Sequence, residues 1–435
     1  MKVYKFPQGG ITFEDSTVPP KTPGVVAFLP VLSVIPLIQH TGGKASPVVA
    51  PGDRVREGML IARAQGLGSA NVHASVPGEV VRTVSWETPE GITNEGLVIR
   101  LGGGFEKLGK EEKIFHWEEL MPFALQQLIA EYGVVEMEGS GQPLAEFLGA
   151  IHSRNSDAGT VALVVRCVFD DPWLAADYVL CQERLKAVVE GSVIICRSVQ
   201  INRIVYAVSY REKALGNMLL EEAGNYGIPA SLMLTETRYP QKNRRELELA
   251  LRNYEKSEGL SLGSFLIIGP ATLAAVHDAI KLKKPIVDRY IAVGGSAVKN
   301  PQVLRARIGT RLRDLFDECG GFVEEPQRII LGSPLSGRQV TDLDEPIVKT
   351  SYAAAALLEK QIGGTVMRNC IGCGECRLVC PVALDPEALY KEIKRLQSEA
   401  TGLIAAECHG CGCCDLVCPS RLPLSTVIQD AAKRT

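Results

Sequence analysis

The run C-I-G-C-G-E-C-R-L-V-C-P, residues 370 to 381, returns 38 residues later as C-H-G-C-G-C-C-D-L-V-C-P, residues 408 to 419. Both copies read C-x2-C-x2-C-x3-C-P. Cys370, Cys373, Cys376 and Cys380 make the first set, and Cys408, Cys411, Cys414 and Cys418 the second. Cys413 lies outside the repeat, where the first copy has Glu375, and reads as a spare thiol.

This spacing suits a pair of [4Fe-4S] cubes. Three cysteines at intervals of three wrap a tight loop around three iron corners, and the fourth, before a proline, points to the other cube. The expected sets are therefore Cys370, Cys373, Cys376 and Cys418 on one cluster, and Cys408, Cys411, Cys414 and Cys380 on the other. Gly374 and Gly412 fall inside the loops, where a side chain would crowd sulfide or block a strained backbone angle. Zinc knuckles pair two C-x2-C units across a longer arm and lack the Cys-Pro ending. A disulfide framework needs an oxidising compartment.

Between and after the loops, Asp385 and Pro386 are expected to start a helix as N-cap and first-turn residue. Leu389, Ile393 and Leu396 would lie along one face of it, with Leu424, Val427 and Ile428 in the matching place after the second loop. These helices would shield the clusters from water, and the whole forms a unit over residues 360–435.

Nine of the 13 cysteines lie between Cys370 and Cys418; Cys167, Cys181, Cys196 and Cys319 are scattered and expected to be buried as small hydrophobes. That usage fits a reducing compartment. A net charge of -3 without a basic patch argues against nucleic acid as a partner. The opening M-K-V-Y-K-F-P-Q-G-G has no apolar region of signal-peptide length, and no run reaches the roughly 20 apolar residues that span a bilayer.

Working back toward the N-terminus, residues 1–113 are rich in Pro and Gly, with short β segments broken at Pro51-Gly52, Gly58 and Pro77-Gly78. The pattern resembles the flattened β sandwich of lipoyl and biotinyl carriers, without their modifiable lysine. His73, in its A-S-V-P-G turn region, reads as structural more readily than as a ligand. Residues 114–260 alternate helix-like and strand-like stretches. V-A-L-V-V-R-C-V-F suits a strand buried on both faces, L-A-A-D-Y-V-L-C-Q-E-R-L-K-A-V-V-E a helix, and S-V-I-I-C and I-V-Y-A-V strands. Residues 261–350 read as a small β-grasp-like module whose charges form a solvated face.

Taken together, F-P-Q-G-G-I (Phe6 to Ile11), V-H-A-S-V-P-G-E-V (Val72 to Val80), L-A-A-D-Y (Leu174 to Tyr178), E-T-R-Y-P-Q (Glu236 to Gln241), I-G-T (Ile308 to Thr310), G-S-P-L-S-G (Gly332 to Gly337) and the two cysteine runs resemble the RnfC family over essentially the whole chain. RnfC proteins are the peripheral iron-sulfur subunits of Rnf ion-translocating electron transport complexes. The resemblance implies a multidomain α/β and β architecture. Its parts are an N-terminal lipoyl-like β sandwich, an α/β domain like the flavin subunit of respiratory complex I, a β-grasp-like module and a C-terminal two-cluster ferredoxin-like domain. It also implies membrane subunits of the complex as partners, ferredoxin or flavodoxin as the soluble redox partner, and a peripheral place on the cytoplasmic face of the cell membrane. A soluble flavin-dependent reductase resembling cobalamin reductase, and a mainly structural iron-sulfur subunit, are the other readings.

The same resemblance implies FMN and NADH in the α/β domain, and here the sequence departs from the family. The glycine-rich loop that cradles phosphate corresponds to E-M-E-G-S-G-Q-P-L, Glu136 to Leu144. Gly139, Gly141 and Pro143 are retained, Glu136 and Glu138 replace glycines, Gln142 replaces an aromatic residue, and Phe147 stands in place of a lysine. In R-C-V-F-D-D-P-W-L-A (Arg166 to Ala175), Asp171 keeps one acid and Phe169 replaces the other. Y-P-Q-K-N-R-R (Tyr239 to Arg245) lacks the family's paired glycines. Gly139, Gly141 and Asp171 are thus the remaining candidates for flavin or nucleotide contacts. Carboxylates facing a phosphate repel it, so three altered parts of one pocket argue that flavin and NADH binding is changed or lost while the scaffold stays.

Overall fold

A computed structural model of the chain describes residues 2–12, 16–87, 93–102, 115–139, 141–155, 161–358, 366–395 and 399–433. Leu396 and residue 113, the expected end of the first domain, lie outside the described residues.

The run at Val161–Cys167 forms a strand buried along nearly its whole length, as its continuous apolar character requires. It lies inside a five-stranded parallel sheet, ordered Val3–Tyr4, Ala230–Thr235, Ile204–Ser209, Val161–Cys167, Ser264–Ile268. Helices cover both faces. Leu247, Ala250, Leu251 and Tyr254 of the helix Arg244–Glu258 pack on Val164, Val205 and Ala207 from one side. The helices Leu185–Ser198 and Pro270–Lys281 pack on Leu163, Val165 and Tyr206 from the other.

Two sequence expectations are corrected here. Ser192–Cys196 is helical, inside Leu185–Ser198, rather than a strand. Its β-branched residues continue the helical spacing begun at Val188 and Val189. At Gly191 any side chain would strike the Leu273 carbonyl, so the two helices meet at backbone distance. Tertiary packing here overrides local β preference. The strand Ser264–Ile268 and its helix, expected in the module starting at residue 261, pair with Val161–Cys167 and complete the α/β sheet. The helical reading of Leu174 to Glu190 holds with a break at Arg184 between Ala175–Glu183 and Leu185–Ser198.

The N-terminal domain is a sandwich of a four-stranded sheet (Leu32–Pro36, Thr93–Leu101, Gly78–Glu87, Arg54–Val55) and a three-stranded one (Ser46–Pro47, Leu60–Arg63, Val72–His73). Ile35, Ile61, Val72, Val80, Leu97 and Ile99 fill its core. Two short strands that precede it belong elsewhere: Val3–Tyr4 extends the parallel sheet and Val25–Val26 the next one. That next sheet has six strands, ordered Arg338–Val340, Arg328–Leu331, Ala353–Leu357, Asp288–Gly294, Gln302–Arg307, Val25–Val26. The helix Leu312–Glu318 lies on it through Leu312, Leu315 and Phe316. Its charges are partly interdomain rather than a solvated face: the Arg307 guanidinium makes a bidentate pair with Glu57 of the sandwich at 3.1 and 3.0 Å.

Lys349 brackets three domains. Its buried ammonium donates to the carbonyls of Asn71 and Gly133, both at 2.8 Å. Beside it, burial and the Lys349 charge push the buried His73 down to about 3, so this imidazole is a neutral structural group. Among the described residues no helix is long and apolar enough to cross a membrane.

Burial also pushes Lys349 down to about 7 from its usual 10.5. Between those values the unfolded chain holds more protons than the folded one, so this group makes stability rise with pH across that window. A Lys349→Met variant is expected to lose that slope, and above about pH 9 to be less stable than wild type, because two buried carbonyls lose their donor at roughly 1–3 kcal/mol each. Urea unfolding of both proteins at neutral and alkaline pH measures this.

Candidate functional site: two cysteine chambers and a charged cleft

The two cysteine runs fold as near copies. Gly374 and Gly412 adopt φ of +77° and +73° just before the short helices Glu375–Leu378 and Cys413–Val417, so the glycines are needed for a left-handed turn. After each fourth cysteine stands a non-glycine residue with positive φ, Ala383 at +59° and Arg421 at +54°. That turn aims the next amide at sulfur: Leu384 N donates to Cys380 Sγ at 3.3 Å, and Leu422 N to Cys418 Sγ at 3.5 Å. Hydrogen bonds of this type to sulfur tune a cluster's potential. Nothing in the sequence alone marked Ala383 and Arg421, although the 38-residue period relates them.

Cys370, Cys373, Cys376 and Cys418 line one small cavity, closed by Tyr390, Leu422 and Leu424. Cys380, Cys408, Cys411 and Cys414 form the second group. Burial raises the Cys380, Cys408 and Cys414 thiols, and the nearby Cys411 charge raises each further. In both groups the fourth cysteine comes from the other run. Among the described residues no three His, Cys, Asp or Glu side chains converge on the position of a single metal ion. This donor set, all sulfur with amides directed at it, fits an iron-sulfur cube. The expected N-cap forms, with Ala388 N donating to Asp385 Oδ1 at 3.0 Å. Leu389, Ile393 and Ile428 meet with Ala405 in one buried cluster beside Cys408. Cys413 is buried next to Cys411, and the four scattered cysteines are all buried.

The second run docks on the α/β domain. Tyr239 Oη donates to the Cys411 carbonyl at 2.8 Å. His409 Nε2 lies 3.0 Å from the buried Glu246 carboxylate, which raises the imidazole's pKa, and Asn243 Nδ2 meets His409 Nδ1 at 3.1 Å. Gly10 N donates to the Val379 carbonyl at 2.8 Å, and a side chain at Gly9 would run into the Cys380 backbone. The first run faces outward, with Cys373, Ile371 and Leu378 exposed.

His409 also lines a cleft of about 730 Å³. The cleft opens at the carboxyl ends of Val161–Cys167 and Ser264–Ile268, where the order of the parallel strands reverses, the usual ligand position in such sheets. Phe147, Phe169, Arg166, Lys242 and Tyr352 contribute to its walls. The three flavin candidates are not brought together in it. Gly139 lines it, with any added side chain striking the Glu136 carboxylate. Gly141 turns against the N-terminal domain, its carbonyl accepting from Thr41 N at 2.9 Å. Asp171 is buried, caps the turn Pro172–Leu174 through Trp173 N at 3.0 Å, and pairs with Lys242 at 3.3 Å. Burial alone would lower Lys242, but the charges of Asp171 and its neighbours carry it up to about 12. Burial pushes Asp170 up to about 7 and Asp177 to about 6.

Glu138, expected to obstruct a phosphate, does so by taking the phosphate's donors. Its carboxylate sits on the N-terminus of the helix Pro270–Lys281, accepting from Ala271 N, from Thr272 N at 3.2 Å and from Thr272 Oγ1. Those donors are what a phosphate would need. The residues present therefore do not fit a flavin phosphate.

The sulfur chambers and the adjoining cleft define an iron-sulfur electron-transfer protein. Four family models match the chain in order: the RnfC barrel sandwich hybrid domain over residues 6–103, the Nuo51 FMN-binding domain over 129–277, the NQRA C-terminal domain over 290–342, and a 4Fe-4S dicluster domain over 366–422. The chain is 30% identical over 393 residues to the C subunit of the proton-translocating ferredoxin:NAD(+) oxidoreductase complex of Clostridium ljungdahlii, covering 88% of this chain and 83% of that protein. It is 29% identical to the C subunit of the ion-translocating oxidoreductase complex of Rhodobacter capsulatus, over 84% of this chain and 70% of that one. With the C subunit of the Na(+)-translocating ferredoxin:NAD(+) oxidoreductase complex of Acetobacterium woodii it shares 27% identity, over 82% and 80%. A chain of an NAD+-reducing [NiFe]-hydrogenase shares the fold, with a TM-score of 0.51 at 13% identity over 75% of this chain, which spans 63% of that one. The chain belongs to the RnfC family, the C subunits of ion-translocating oxidoreductase complexes, and carries the family's two-cluster domain together with a degenerate flavin domain.

Replacing Tyr239 by Phe removes the hydrogen bond to the Cys411 carbonyl without changing the packed ring. We expect a loss of about 1 kcal/mol, read as an earlier anaerobic urea transition of the iron-loaded protein.

Proposed function

We propose that this chain is the peripheral electron-transfer subunit of an Rnf-type membrane complex, on the cytoplasmic face, passing single electrons between a soluble ferredoxin or flavodoxin and the membrane subunits. The observation that carries this reading is the position of the two cysteine runs, with His409 of the second lining the cleft and Cys373 and Ile371 of the first exposed. The named relatives are C subunits of ion-translocating complexes, two of them ferredoxin:NAD(+) oxidoreductases. That supports membrane subunits as partners.

The proposed ligands are Cys370, Cys373, Cys376 and Cys418 for one cluster and Cys380, Cys408, Cys411 and Cys414 for the other. When bound, the clusters supply one-electron transfer at potentials set by ligation, hydrogen bonding and burial. The chain's own work is to hold and insulate them. Leu384 and Leu422 direct amides at Cys380 and Cys418. Tyr239, Glu246 and Asn243 fix the Cys408–Cys414 loop against the cleft. Ile371 and Leu378 give the rim of the first chamber an apolar edge. No proton transfer by a side chain is required.

Anaerobically reconstituted protein should hold about eight irons and accept electrons from dithionite and from reduced ferredoxin. Cys418→Ser and Cys380→Ser should each remove about four irons, with different EPR signals surviving. Wild-type protein that holds no iron-sulfur cluster, or that takes no electrons from either reduced ferredoxin or reduced flavodoxin, would overturn the relay role. Crossed ligation requires Cys418→Ser to lose the signal that Cys373→Ser loses; loss instead of the signal that Cys411→Ser loses would overturn it.

A further inference from the structure

We infer that the phosphate site of the flavin domain is filled by the chain itself, with Glu138 as a built-in anion and Lys242 as a built-in cation, so that this member is shut to FMN by a charge plug rather than by a collapsed pocket. The cleft remains open to about 730 Å³, so lack of room does not explain the misfit. What has changed is the state of its charged anchors.

The helix Pro270–Lys281 is three turns long and presents its first free amides toward the loop Glu136 to Gly139. A helix end of this kind draws a phosphate through amide donors and the helix dipole. Here both oxygens of Glu138 take that place, and all three donors, Ala271 N, Thr272 N and Thr272 Oγ1, are already spent. Thr272 Oγ1 in turn accepts from Met137 N at 2.9 Å, which locks the loop carrying Glu138. Gly269 is part of the fit, because any side chain there would collide with the Glu138 carboxylate. An arriving phosphate would have to displace a like charge that is covalently held at the site, and a tethered ligand competes at a high effective concentration.

The opposite charge is neutralised in the same manner. Asp171, the acid retained from the family's pattern, has one oxygen on Trp173 N and the other on the Lys242 ammonium. Lys242 comes from the stretch where the resemblance implies a glycine pair. Its backbone is pinned as well, with its amide donating to Asp170 Oδ2 at 2.9 Å. Two charged side chains far apart in sequence, each standing where the resemblance implies glycine, thus each satisfy a polar group beside the cleft.

This inference deepens the proposed relay role and rests on it only in taking the electron donor to be a protein. The experiment compares wild type, Glu138→Gly, Lys242→Gly and the double variant, each loaded with iron. Binding of FMN and of riboflavin is measured by flavin fluorescence quenching and by retention through gel filtration. Wild type is expected to retain neither flavin. Glu138→Gly is expected to bind FMN at least tenfold more tightly than wild type and to leave riboflavin unchanged, because the freed helix amides recognise phosphate. Stoichiometric FMN retention by wild type would overturn the plug, and so would a folded Glu138→Gly variant with no gain. If the double variant fails to fold, the wild-type arm and Glu138→Gly decide in the same terms. Iron content and dithionite bleaching are read in parallel. Their loss speaks against the relay, whereas a change in flavin binding alone speaks only to the plug.

Discussion

The docking of one cysteine loop onto the α/β domain is the contact on which the functional arrangement depends. Glu246 is buried, and its carboxylate lies 3.0 Å from the His409 imidazole, whose pKa it raises. Removing one member of a buried pair leaves an uncompensated charge, which costs far more than a surface pair is worth. Tyr239 adds a hydrogen bond to the loop's backbone, while the other run is held at its end, where Gly9 lies against the Cys380 backbone. The cleft and the second sulfur chamber are therefore held together whatever lies in the cleft. The first chamber keeps an exposed, partly apolar rim. The asymmetry between two nearly identical repeats comes from what each repeat touches.

Rigid placement extends through the other domains by the same means. Lys349 donates to carbonyls from two different domains, and Arg307 reaches a carboxylate of the sandwich, Glu57. These are long side chains with buried stems and directed heads, which suit joints between separately formed cores. Apolar packing joins the same parts, since Tyr290, Ala292, Val303, Ala353 and Ala355 of the six-stranded sheet share one buried cluster with the α/β domain.

Much of this was legible in the chain. The cysteine spacing predicts its own loops because three-residue intervals admit few geometries, and the glycines at 374 and 412 adopt the left-handed turns that the loops require. The continuous apolar run at Val161–Cys167 reads correctly as a doubly buried strand. Ser192–Cys196 misleads because a short β-branched run has the same composition in a buried helix as in a strand. Ser264–Ile268 falls to the wrong module because strand pairing is non-local, and nothing near residue 264 states that its partner is residue 161. Glu138 was legible as an obstacle and not as a ligand, since its partners lie 133 and 134 residues away. Asp171 shows the converse: the acid is where the family pattern puts it, and its charge is spent on Lys242.

The path of the first 26 residues bears on how the chain is made. Among the described residues, Val3–Tyr4 pairs only with Leu234 and Thr235, and Val25–Val26 only with Leu304 and Arg305. During synthesis these opening segments must wait, unpaired, until more than two hundred further residues have left the ribosome. Apolar edges exposed for that long are hazards for aggregation. The Pro- and Gly-rich character of the lead-in, with Pro19-Pro20 and Pro23-Gly24 between the two short strands, keeps them brief and poor at pairing with the wrong neighbour. Assembly of the N-terminal sandwich can proceed meanwhile, because its own strands begin only at Leu32. The last act of folding for the front of the molecule is then a clasp: the lead-in closes over two domains that are already formed.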